Sequence, residues 1–169
     1  MIDASVARSV GLGGSPQASR CRLFLEEVLR ICHRLVATTD LALEWRAHGS
    51  PFAMQRLAAM AQAGKAGEAR VEPDEHLRLD VSKAARNDGE RQHMLDDAHL
   101  IEGALSFGSP VVSLDDRARN SFGEAARAVP ALRNITWVNP CAERDTPVQW
   151  LENGALDEDD RRIGYGLRE

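Results

Sequence analysis

The chain has 169 residues, 43% of them hydrophobic and 28% charged, which is enough for one ordinary core and unlike a disordered segment. A net charge of −5 argues against a protein that coats nucleic acid by bulk attraction, but leaves room for a nuclease whose clustered carboxylates surround a cation. No apolar run approaches the ~18 residues of a membrane span, and the start, with Asp3 and Arg8, lacks a basic stretch followed by an apolar block, so a cytoplasmic protein without membrane contact is expected.

In chain order, Gly11-Leu12-Gly13-Gly14-Ser15-Pro16 is the first irregular segment. It lacks the Lys-Ser/Thr ending of a phosphate-binding P-loop and reads as a loop beside the site. Leu25, Val28, Leu29 and Cys32 form the apolar stripe of a helix over residues 19–33. Leu35-Val36-Ala37 is β-capable, and Thr38-Thr39-Asp40 can cap a helix through Leu43, Glu44 and Trp45. Gly49-Ser50-Pro51 ends that helix and starts another, which Gly64 and Gly67 close. Ala69-Arg70-Val71-Glu72 reads as a short edge strand before Pro73, residues 74–87 as helix and Asn87-Asp88-Gly89 as a turn.

One continuous helix is predicted from Gln92 to Phe107, with Met94, Leu95, Ala98, Ile101, Ala104 and Leu105 at helical spacing. After Gly108-Ser109-Pro110, the segment Val111-Val112-Ser113-Leu114 is the clearest strand, followed by a polar helix from Asp116 to Ala128 and a strand over Ile135-Thr136-Trp137-Val138. Helices alternating with short apolar strands predict a parallel sheet covered on both faces. Residues 1–140 form the expected domain. Residues 141–169 read as a C-terminal appendage, with a short helix near Val148-Gln149-Trp150-Leu151 and the acidic run Asp157-Glu158-Asp159-Asp160 as its tail.

Three cysteines, Cys21, Cys32 and Cys141, cannot all pair within the chain. Cys21 and Cys32 would lie roughly 16 Å apart along one helix, too far for a disulfide. Reduced, buried thiols are expected.

In an open α/β sheet, functional residues gather beyond the C-terminal ends of the strands, where Asp3 and Asp115 fall. Glu44 and Asp97 sit instead on helices among apolar neighbours: Leu41, Leu43 and Trp45 around the first, Leu95, Ala98 and Leu100 around the second. A carboxylate so placed is costly unless paired or metal-bound. Hard Mg²⁺ and Mn²⁺ prefer carboxylate oxygens, and acids from strand ends and helices can converge on one point.

Ile2-Asp3-Ala4-Ser5, Glu44, the run Asp97-Ala98-His99-Leu100-Ile101-Glu102-Gly103-Ala104-Leu105 and Val111-Val112-Ser113-Leu114-Asp115 resemble, in order and separation, the four acidic motifs of PIN domains. The resemblance covers roughly residues 1–140 and is strongest from Asp97 to Asp115. It implies a three-layer α/β/α fold with a central parallel sheet of strand order 3-2-1-4-5. It further implies an acidic pocket and Mg²⁺- or Mn²⁺-dependent endonucleolytic hydrolysis of RNA, leaving a 3′-hydroxyl and a 5′-phosphate. Only two residues precede Asp3, so that central strand would be unusually short.

On this resemblance Asp3, Asp97 and Asp115 are the metal ligands, directly or through water, and Glu44 orients a water or completes the shell. Asp97 is preferred to Asp96 because it opens the family's Asp-Ala pattern. Ser5 and Ser113 resemble hydroxyls that support the first and last acids. Asp116 resembles an optional extra acid, although its position suits a helix cap. His93, one turn before Asp97, is a candidate phosphate contact, with a solvent-facing histidine the plainer reading. Arg8 and Arg117 flank the acids and are the chosen RNA-backbone contacts among Arg8, Arg20, Arg22, Lys83, Arg86, Arg91, Arg117 and Arg119. Many small members of the family are toxins restrained by an antitoxin, which makes an antitoxin and a homodimer the expected partners beside RNA. The rival reading is a PIN-like module that binds or regulates without catalysis.

Overall fold

The computed structural model describes residues 1–11, 13–31 and 33–165; Leu12 and Cys32, and with them part of the predicted loop and one predicted thiol, lie outside the described residues. The chain opens with Met1-Ile2-Asp3 in extended conformation and then helix α1, Ala4–Ser9. Helix α2, Pro16–Arg30, begins where the Ser15 hydroxyl accepts a hydrogen bond from the Ala18 amide and Pro16 takes the first helical position. Its inner face buries Ala18, Cys21, Phe24, Leu25 and Val28, each large side chain stabilising the fold by roughly 1.5–3 kcal/mol. The predicted helix therefore starts and ends three residues earlier than its pattern suggested.

Strand β1, Leu35–Thr38, leads directly into α3, Thr39–His48, where the Thr38 hydroxyl caps the Leu41 amide. Leu41, Ala42 and Trp45 are buried, whereas Leu43, expected near the core, is exposed. Helix α4, Pro51–Gln62, is capped by Ser50, and Gly64 at φ 68° turns the chain out of it. Gly67 does not close α4; it lies within β2, Ala66–Ala69, three residues before the predicted edge strand. Helix α5, Glu75–Ala84, follows, and Asn87 caps α6, Asp88–Asp96, where a turn was expected.

The helix predicted from Gln92 to Phe107 is broken. Asp97, at φ −89° and ψ 0°, ends α6 and opens α7, Ala98–Phe107. Its amide still bonds the His93 carbonyl at 3.1 Å, while its carbonyl accepts the Leu100 amide at 3.0 Å, a tighter i to i+3 step that redirects the chain. Leu105, counted with the apolar stripe, is exposed. Gly108, left-handed at φ 57°, stops α7 before β3, Val111–Val112. Helix α8, Asp116–Ala125, strand β4, Trp137–Val138, and helix α9, Pro147–Glu152, complete the order.

The three-layer α/β/α arrangement around one parallel sheet of order 3-2-1-4-5 is not formed. The structure is mostly helical and carries two separate two-stranded parallel sheets, β1 with β2 and β3 with β4. The first pairs Leu35 with Ala66 through Thr38 with Ala69; the second pairs only Val111 with Trp137 and Val112 with Val138. Residues 1–3 make a single bridge, Ile2 to Val112, through Val112 N to Met1 O at 2.8 Å and Asp3 N to Val112 O at 2.9 Å. On the other side the Ile2 carbonyl accepts the Trp45 indole N–H at 2.8 Å, so a side chain takes the acceptor that a further strand would have used.

One cluster of buried side chains runs through these elements and includes Trp150, Leu151 and Ile163 from beyond residue 140. That segment is tied down by Asp145, which is buried and takes Arg119 Nη1 at 3.0 and 3.2 Å and the Asn139 amide at 2.7 Å. The acidic run is likewise paired within its own turn: Asp157 with Arg162, Glu158 with Arg161 and Asp159 with Arg162. Gly103 lets α7 approach the N-terminal segment, because a Cβ there would stand 2.3 Å from Met1 Sδ and 2.9 Å from Thr38 Cγ2. This close approach carries the start of α7 toward Asp3 and the first turn of α3.

Candidate active site

Asp3 sits where the extended N-terminal segment meets α1, and one of its oxygens is claimed twice. Asp3 Oδ2 accepts the Ser5 hydroxyl at 2.5 Å and the Ser113 hydroxyl at 2.6 Å. Both serines are themselves anchored by the β3 end: Leu114 N donates to Ser5 Oγ at 3.2 Å and Asp115 N to Ser113 Oγ at 3.0 Å. The two hydroxyls therefore orient Asp3 and lace the N-terminal segment to the chain after β3. Oδ1 of Asp3 has no hydrogen bond among the described residues.

Asp115 is the N-cap of α8, with Oδ1 accepting the Ala118 amide at 2.8 Å. Capping uses one oxygen and leaves the other without a hydrogen bond among the described residues. Asp116 turns away from this group: Asn139 Nδ2 donates to it at 3.1 Å and Arg144 pairs with it at 3.0 Å. It is a brace for the segment after β4. Asp96, the other alternative ligand, is exposed and accepts Gln92 Nε2 at 2.7 Å.

Asp97 is half-buried at the junction of α6 and α7. Its carboxyl is pushed up to about 7, first by burial and then by the negative charges of Asp3 and Asp115, with Glu44 a further contributor; His99 works in the opposite direction. The other three predicted acids thus act on Asp97 through space, although they come from the N-terminal segment, α3 and the end of β3. Among the described residues, no three His, Cys, Asp or Glu side chains close to a ready-made metal cage.

His99 is the residue that sequence reasoning passed over. It is buried on α7, with Nδ1 3.0 Å from the Asp96 carbonyl and Nε2 3.6 Å from Glu44 Oε2. That second separation is an ion-pair distance longer than a hydrogen bond, and Nε2 has no hydrogen-bonding partner among the described residues. A carbonyl can only accept, so Nδ1 carries a proton, and only the imidazolium also presents an N–H to Glu44. Burial opposes that charge, but Glu44, the Asp96 carbonyl and Asp97 together raise the His99 pKa. The available signal was a histidine two residues after a motif acid inside an otherwise apolar helix. His93, the histidine singled out instead, is exposed, because the break at Asp97 ends the shared face.

Comparison with known proteins finds no matching family model and no matching curated relative.

The donor set suits a hard divalent cation. It consists of carboxylate oxygens, each of the four acids keeps at least one oxygen without a hydrogen bond among the described residues, and the repulsion on Asp97 is what a bound cation would relieve. Arg8 and Arg117 are exposed and make no ion pair among the described residues. The other basic residues considered are engaged: Arg20 with Glu143, Lys83 with Asp80, Arg86 with Glu90, Arg91 with Asp88, Arg119 with Asp145, and Arg22 with the Val10 carbonyl.

Proposed function

We propose that this chain is a divalent-metal-dependent ribonuclease that hydrolyses RNA phosphodiesters at the group formed by Asp3, Glu44, Asp97 and Asp115. The observation that carries the reading is that Asp97, raised first by burial, is raised further by the negative charges of Asp3, Asp115 and Glu44, with His99 opposing them. Asp3, Asp97 and Asp115 would hold Mg²⁺ or Mn²⁺. When bound, the ion lowers the pKa of its water and offsets charge building on the phosphate. Ser5 and Ser113 orient Asp3, and Glu44, facing His99, orients the attacking water. Arg8 and Arg117 contact the RNA backbone. The protein acts in the cytoplasm as the toxin of a toxin–antitoxin pair, with an antitoxin and a second copy of itself as partners. No described helix is long and apolar enough to cross a membrane.

Cleavage of a mixed pool of structured and single-stranded RNA in Mn²⁺, in Mg²⁺ and in chelator tests this reading, with Asp3→Asn and Asp97→Asn alongside. Metal-dependent cleavage that each substitution lowers by about a hundredfold or more is expected. Cleavage that survives both would sink the site. The second reading is a PIN-like module that binds or regulates without catalysis. Retained RNA binding with no cleavage in either metal would establish that one instead.

A further inference from the structure

Away from the acids, two thiols from distant parts of the chain meet. Cys21 lies on the inner face of α2 with no exposed surface, and Cys141 follows the turn after β4, half-buried. Their Sγ atoms stand 3.6 Å apart. A thiol–thiol contact is weak, so the surroundings hold the pair: Arg20 Nη1 donates to the Cys141 carbonyl at 2.7 Å, and the Cys141 amide donates to Asn139 Oδ1 at 2.8 Å. Cys141 opens onto a surface pocket of about 220 Å³ lined by Arg20, Leu23, Pro140, Glu143 and Val148. A small oxidant can enter there, whereas Cys21 is sealed in the core.

We infer that Cys21 and Cys141 are a redox pair which hydrogen peroxide closes to an intrachain disulfide. The Cys141 thiolate attacks one peroxide oxygen, the O–O bond breaks, and hydroxide leaves with Cys141 oxidised to a sulfenic acid. The Cys21 sulfur then attacks the Cys141 sulfur, the S–O bond breaks, and the Cys21 proton departs with the hydroxyl as water. The thiolate's own proton, released beforehand, neutralises the hydroxide, so two thiols and one peroxide give one disulfide and two waters. The sulfurs need only close from 3.6 Å to about 2.05 Å.

The order of events follows from the environments. Burial, with the neighbouring Cys141 second, pushes the Cys21 thiol up to about 12 and keeps it from peroxide. Burial raises Cys141 too, but its hydrogen bond with Cys21 and the charge of Arg20 oppose that rise. Once formed, the bond spans 120 residues and staples α2 to the segment whose Asn139 and Arg144 brace Asp116, next to Asp115. The inference is independent of the nuclease reading.

The test is peptide mapping of the full chain after treatment with equimolar hydrogen peroxide and alkylation of remaining thiols. The expected product has lost the mass of two hydrogens, yields a Cys21–Cys141 cross-linked peptide with Cys32 alkylated, and reverts with dithiothreitol. Cys141→Ser should abolish the cross-link and Cys32→Ser should leave it. A cross-link through Cys32, a disulfide-linked dimer, Cys141 halted at sulfinic acid, or an unoxidised chain would overturn the inference. Because the mapping is done on the unsubstituted protein, failure of a variant to fold does not remove the test.

Discussion

Glu90 is more deeply buried than Asp97, yet the two carboxyls are driven in opposite directions. Glu90 is held down at about 2 by the Arg86 side chain, then by the Arg86 amide and the Ser121 hydroxyl. Asp97 is pushed up to about 7 by burial and by other acids. Glu102 and Asp145 are likewise buried beside an arginine: Arg78 Nε lies 2.7 Å from Glu102, and Arg119 Nη1 lies 3.0 Å from Asp145. Burial alone does not mark a functional carboxylate. The mark is a carboxylate raised by burial and by several other acids with no arginine paired to it, an arrangement that costs stability and serves no packing purpose.

The largest effect should come from breaking a structural pair. Arg119→Ala leaves Asp145 buried without its main partner, and a loss of about 3–5 kcal/mol is expected in the urea unfolding midpoint. A loss under about 1 kcal/mol would mean that the Asn139 amide and Arg144 suffice, and that the pairing half of the contrast is overdrawn.

The acid group should instead gain stability from what it lacks. Mn²⁺ at a hundred times its dissociation constant should stabilise the protein by about 2.7 kcal/mol, and calorimetric scans should show the melting temperature rising with metal. The same addition should move Asp97→Asn much less. An equal rise in both proteins would remove Asp97 from the ligand set.

Without metal, Asp97→Asn should itself be stabilising at pH 8, by about 1–2 kcal/mol after allowing for solvent screening of a half-buried group. The folded state keeps the Asp97 proton to about 7 while the unfolded chain releases it near 3.8. The folded protein therefore binds the extra proton between those values, and the Asp97 contribution to stability is full below about 4 and lost as pH rises through 7. In Asp97→Asn that decline should flatten.

Glu90 gives the opposite slope and a smaller effect. Its stabilisation is full above about 4.5 and lost as pH falls through 2, so Glu90→Gln, costing about 1 kcal/mol at pH 7, should converge with the unsubstituted protein in acid. Parallel acid limbs would show that Arg86 and Ser121 do not hold Glu90 in solution as they do here. Smallest of all, Arg117→Ala should leave stability unchanged and weaken RNA binding severalfold, with a shallower salt dependence measured by filter binding.

Much of the local architecture was legible from side-chain type and spacing. The Ser50-Pro51 start, the Thr38 cap and the apolar stripe of α2 are properties of neighbouring residues, and each appears as an element boundary or buried face, whereas the Ser15-Pro16 start of α2 falls in a segment that reads as loop. The local settings of the acids were readable too, since Asp3 and Asp115 follow extended segments and Glu44 and Asp97 stand among apolar residues. What failed was the inference from short apolar runs to one continuous sheet. Val111-Val112 and Trp137-Val138 are long enough to pair with each other, but strand pairing depends on which backbone groups remain unclaimed, and the Trp45 indole claims Ile2. Likewise an unbroken helical pattern over 92–107 says nothing of the tight step at Asp97.

By itself, then, the sequence determined which residues could cap, bury or carry charge, because those properties depend on a side chain and its neighbours within a turn or two. Only the tertiary structure decided which charges face which. Glu90 and Asp97 lie seven residues apart; Arg86 stands one helical turn before Glu90 and is a local partner, but nothing local shows that Ser121 also reaches Glu90 or that Asp97 meets Asp3, Asp115 and Glu44. The same holds for Cys21 and Cys141, brought to 3.6 Å across 120 residues of chain. Electrostatic and redox behaviour are set by through-space distance, and the close approach of α7 at Gly103 and the docking of the chain after β4 create those distances.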